Sequence, residues 1–91
     1  MTGLVYVMKW RGGLYKIGYT SRTIEKRWAS KRLRADIVMV IPTDVEYPQM
    51  FEQEVHSRLA KYRASVTAEL FRLNKEAFAI LASYPKCKQY Q

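Results

Sequence analysis

Ninety-one residues of which 48% are hydrophobic describe one domain with a core of its own and exclude a disordered chain. A single cysteine, Cys87, rules out an internal disulfide, and no run approaches ~18 consecutive apolar residues; with no basic-then-apolar leader, the chain reads as a soluble cytoplasmic protein without a membrane partner. The net charge of +8 is unevenly placed, with nine bases up to Arg34 against Glu25 alone, then seven acids against seven bases, which points to a polyanion partner rather than to general solubility.

In chain order, Leu4 to Trp10 and Leu14 to Thr20 carry the β-branched and aromatic residues of two strands, joined at Arg11-Gly12-Gly13 by a hairpin turn. Thr20 to Thr23 offers an N-cap for a helix over Ile24 to Leu33, with Ile24 and Trp28 on its inner face. Arg27, Lys31 and Arg34 form a basic stripe on an adjoining face. Ile37 to Ile41 reads as a third, central strand that Pro42-Thr43-Asp44 ends.

Pro48 stands where a helix tolerates proline, near its first turn. That helix is expected to run to about Tyr62, with Phe51, Val55, Leu59 and Tyr62 as its apolar stripe and Glu52 and His56 on the flank. Ala64 to Ala68 is a loop or short edge segment. Asn74 caps a last helix, Lys75 to Ser83, which Pro85 stops. The expected fold is α+β: a small three-stranded antiparallel or mixed sheet flanked by helices in the order β-β-α-β-α-α. It is one domain over 1–91, with its core about 3–83 and a short tail.

Zinc-type His/Cys spacing, a phosphate-cradling glycine loop and a serine elbow are all missing from the sequence. What remains is a tyrosine and a lysine on the hairpin, an arginine stripe and a helical carboxylate. Those are the parts of a metal-assisted phosphodiesterase: a carboxylate for a divalent ion, a base for water's proton, and cations for the extra negative charge.

Leu4-Val5-Tyr6 and Lys16-Ile17-Gly18 resemble the two strand signatures of the GIY-YIG nuclease superfamily. Arg27 falls nine residues past Gly18. The segment from Phe51 to His56 is similar to the "apolar-Glu-x-x-apolar-His" element of a branch often found in phages. Lys16-Ile17-Gly18-Tyr19-Thr20 matches that branch's second signature, and Glu69-Leu70-Phe71 resembles its closing "Glu-x-Phe". The resemblance implies a DNA endonuclease, bacterial or phage-encoded, that leaves a 5′-phosphate and a 3′-hydroxyl. Tyr6 would activate water, Lys16 would tune Tyr6 or contact phosphate, Arg27 would hold a non-bridging oxygen, and Glu52 would bind one Mg²⁺ or Mn²⁺. Gly18, Tyr19, His56 and Glu69 would support the site. Lys9, Arg11, Arg22, Lys26, Lys31 and Arg34 would bind nucleic acid, in a monomer or homodimer.

Three positions depart from that pattern. Leu4 replaces a glycine, Lys31 stands where many members have a histidine, and Asn74 is explained by helix capping. Two alternatives follow: a binding module without catalysis, stacking bases on Trp28 and the tyrosines, or a factor acting between phage and host proteins.

Overall fold

The computed structural model describes residues 3–21, 36–43, 48–65 and 69–90. The expected helix at 24–33 lies outside these residues, as do Arg22, Lys26, Arg27, Lys31 and Arg34. Strands β1 (Gly3–Lys9) and β2 (Tyr15–Thr20) form the anticipated hairpin. Its turn places Gly12 at φ 66° and Gly13 at φ 74°, left-handed values that glycine adopts without a Cβ penalty. Trp10 N–H donates to the Leu14 carbonyl at 2.9 Å and closes the loop.

Strand β3 (Ile37–Thr43) runs two residues further than its apolar stretch. Pro42 does not end it, because Pro42 pairs with Leu4 on one side, while on the other β5 (Lys88–Gln89) reaches only Met39 and Val40. A proline is compatible with a strand where its nitrogen faces no partner. Strand β4 (Leu70–Phe71) pairs with β2, giving one antiparallel sheet in the order β4-β2-β1-β3-β5. The three-stranded expectation is thus corrected to five, with β1 rather than β3 at the centre. The added strands are two residues long, too short to show alternation in the sequence.

Helix α1 (Pro48–Arg58) packs on β1 and β2 and ends short of the expected Tyr62, because Leu59 leaves helical geometry at φ −108° before a short 3₁₀ turn, Ala60–Tyr62. Helix α2 (Lys75–Ala82) begins at Asn74, whose side chain accepts a hydrogen bond from Ala77 N–H at 2.9 Å. Alternation splits the apolar residues between the two faces of the sheet. Val5, Val7 and Ile17 join Val55, Leu59, Phe71, Ala77 and Leu81 in the main core. Tyr6, Met8, Ile37 and Val40 make a second cluster on the opposite face. Between Val7 and Met8 the pairing with β3 shifts by a residue, a bulge that lets both Val38 and Met39 enter the main core. Among the described residues, no helix is long and apolar enough to cross a membrane.

Candidate functional site

The hairpin register places Tyr6 directly across from Gly18, and Met8 across from Lys16. Opposed residues share a face, so Tyr6, Lys16 and Gly18 stand on one side of the sheet while Ile17 enters the core on the other. Tyr6 is 2% exposed, and its ring lies over the Gly18 backbone. A Cβ built at position 18 would stand 2.6 Å from the Tyr6 hydroxyl oxygen and 2.8 Å from Cζ. Gly18 is therefore the vacancy into which the tyrosine folds. Tyr19, across from Val5, packs instead against the main core.

Glu52 comes from α1, which packs on the main-core face of the sheet, opposite the face that carries Tyr6 and Gly18. Val55 and Leu59 are fully buried and fix the helix on the sheet, which leaves the residue three places before Val55 at the border of the core. The residue as a whole is 8% exposed. Burial, reinforced by the negative charge of Glu69, pushes its pKa from 4.5 up to about 7, while Lys16 and Arg63 pull the other way. No described residue donates a hydrogen bond to this carboxylate. Two carboxylates and two cations thus share one field at the β2 side of the sheet.

Glu69 is held there by its backbone, because its carbonyl accepts from Ile17 N–H at 3.0 Å. One turn beyond Glu52, His56 donates from Nε2 to the Ile17 carbonyl at 3.0 Å. A carbonyl only accepts, so this contact assigns the proton to Nε2. His56 is therefore occupied in tying α1 to β2, and its ring lies against Phe71 with centroids 5.1 Å apart.

Sequence reading missed Arg63. It lies beyond the end of α1, bridges to Phe71, and places its guanidinium 5.4 Å from the Phe71 ring centroid. The paired bonds Ala64 N–H to Leu70 carbonyl and Arg72 N–H to Tyr62 carbonyl return this segment to the β2 edge. That return brings the Arg63 charge within the field felt by Glu52, which no spacing in the sequence encodes. Trp10 was missed as well: it is 45% exposed at the hairpin end, with the Lys16 ammonium 5.7 Å from its ring centroid. Lys9 and Arg11 are exposed beside it.

Among the described residues no group of three His, Cys, Asp or Glu side chains forms a metal cage. The donors present still suit a hard divalent cation. Mg²⁺ keeps several waters and takes one or two carboxylates together with substrate phosphate oxygens. Glu52, to which no described residue donates a hydrogen bond, and Glu69, whose charge it feels, are carboxylates of the type such an ion takes.

A family model, the T5orf172 domain, matches residues 3–83, the span from β1 through α2. This overturns the assignment to the GIY-YIG superfamily. The two three-residue signatures describe a strand pair in which a ring covers a glycine, a local packing solution that does not fix the family. No curated protein and no solved structure matches the chain significantly.

Proposed function

The chain belongs to the T5orf172 domain family, a phage-associated domain, and from that premise we propose that it is a metal-dependent DNA endonuclease. The observation that carries this reading is the buried Glu52 carboxylate, set beside Glu69 and faced by Lys16 and Arg63. The concentration of the charge excess before Ala35 supports a nucleic-acid substrate.

Glu52, with Glu69 beside it, would hold one Mg²⁺ or Mn²⁺. When bound, such an ion polarises the scissile phosphate and neutralises charge on its oxygens. Lys16 and Arg63 attract the phosphodiester and offset the negative charge that grows as water adds to phosphorus. Arg27, outside the described residues, is assigned the same task at a non-bridging oxygen. The Tyr6 oxygen accepts or relays the proton of the attacking water. The new P–O bond forms as the bond to the leaving alkoxide breaks, and that alkoxide takes up a proton.

Supercoiled and single-stranded DNA incubated with and without Mg²⁺ or Mn²⁺ tests the reading. Metal-dependent nicking that is lost in Glu52→Ala supports it. Cleavage without metal, or full activity in both Glu52→Ala and Tyr6→Phe, sinks it. A second reading, a nucleic-acid-binding module without catalysis, is favoured by the near-complete burial of Tyr6 over Gly18. It calls for DNA binding that survives Glu52→Ala and for no cleavage with either metal.

A further inference from the structure

At the turn end of the hairpin, Met8, Lys9, Trp10, Arg11 and Asp36 line an open cavity of about 360 Å³. Trp10 is one of three large apolar side chains exposed among the described residues, at 45%. The Lys16 ammonium stands 5.7 Å from its ring centroid. Lys9 N–H donates to the Asp36 carbonyl at 2.8 Å, which ties the Asp36 backbone to the end of β1 at the rim of this cavity. We infer that this cavity is a stacking subsite for an unpaired nucleobase of a single-stranded nucleic acid.

The chemistry of the lining selects that occupant. An exposed indole offers a broad π-face to a planar ring, and stacking on it is available to any base. Lys9, Arg11 and Lys16 surround it with positive charge suited to the phosphates on either side of that base. A pocket for phosphate alone would gain nothing from the Asp36 carboxylate, which repels anions. A base with an exocyclic amino group, such as cytosine, donates to it instead. In duplex DNA both ring faces are already stacked, so the subsite engages a single strand, a frayed end or an extruded base.

This inference rests on the nucleic-acid reading above, and binding in EDTA separates the two. Labelled oligo-dC, oligo-dT and a blunt duplex are titrated with the wild type, Trp10→Ala, Trp10→Phe and Asp36→Asn by fluorescence anisotropy. Trp10→Ala is expected to weaken binding of the single strands about ten-fold and that of the duplex less than two-fold, with Trp10→Phe close to wild type. Oligo-dC is expected to bind more tightly than oligo-dT, a preference lost in Asp36→Asn. In a Trp28→Phe background, quenching of the remaining indole by oligo-dC reports stacking at Trp10 directly. Wild-type binding of single strands that Trp10→Ala leaves unchanged overturns the subsite alone. No binding of any oligonucleotide by the wild type overturns the subsite and the nucleic-acid reading together. Single-strand binding in EDTA that Trp10→Ala weakens as expected, with no cleavage in any metal, supports the subsite while ending the nuclease assignment.

Discussion

The Tyr6 hydroxyl oxygen lies 2.6 Å from the point where a Cβ would stand on Gly18, so the tyrosine is seated by the absence of a side chain on the neighbouring strand. Gly18→Ala must move a ring that is 2% exposed, and overpacking of this kind costs about 1–3 kcal/mol. The cost is expected to shrink in a Tyr6→Leu background, because the shorter side chain vacates the contact. A double-mutant cycle by urea denaturation measures this coupling. Equal costs in the two backgrounds would show that the contact is not what makes position 18 intolerant.

Glu52 gives the protein a specific dependence on pH. Below pH 4.5 its carboxyl is protonated in folded and unfolded chains alike. Between 4.5 and about 7 the unfolded chain has released a proton that the folded chain retains, so stability falls as pH rises. The loss is roughly 3 kcal/mol once both states are ionised. Glu52→Gln is expected to remove this slope and to be more stable than the wild type at pH 8. The difference between the two proteins at pH 4.5, 6 and 8 isolates the Glu52 contribution from other titrating groups.

On the proposed function, a divalent ion held by Glu52 would stabilise only the folded chain. Mg²⁺ or Mn²⁺ at ten times its dissociation constant is expected to add about 1.4 kcal/mol to the wild type at pH 8 and nothing to Glu52→Gln. Thermal melts across a metal titration check this without reference to activity. The same shift in both proteins would place the ion elsewhere.

His56 is expected to act through structure. Removing the ring in His56→Ala leaves the half-buried contact at the Ile17 carbonyl without its donor, a loss of about 1–3 kcal/mol. Melting temperature reports it directly. Below the melting transition, DNA binding should follow the folded fraction alone.

Asn74 provides the contrasting case of a cap. Asn74→Ala removes the acceptor of Ala77 N–H and is expected to cost about 1 kcal/mol, with Asn74→Ser restoring most of it. Cleavage and binding at temperatures well below melting should be unchanged in both, because α2 contributes no residue to the carboxylate cluster.

The elements legible in the sequence were those whose signal is local. The hairpin declared itself through β-branched residues around Gly12-Gly13, α1 through Pro48 and the Phe51, Val55, Leu59 stripe, and α2 through its Asn74 cap. The border position of Glu52 followed from helical spacing and is seen in the structure. The glycine at 18 could be noticed, but its reason could not, since it depends on which residue of the opposite strand faces it.

Sequence by itself determined the two long strands of the hairpin, the apolar stripe of α1, the Asn74-capped helix α2 and the placement of basic charge, because each depends on residues within a few positions of one another. Tertiary structure decided the rest. It added β4 and β5, whose two-residue strands exist only because longer neighbours offer them hydrogen bonds. It carried β3 through Pro42, where no partner needed the missing N–H. It brought the charges of Arg63 and Glu69 to bear on Glu52 from beyond the end of α1, and set the Lys16 ammonium over the Trp10 ring. Burial and the field of neighbouring charges, which moved the Glu52 pKa, are sums over contacts distant in the chain, and only the folded arrangement fixes them.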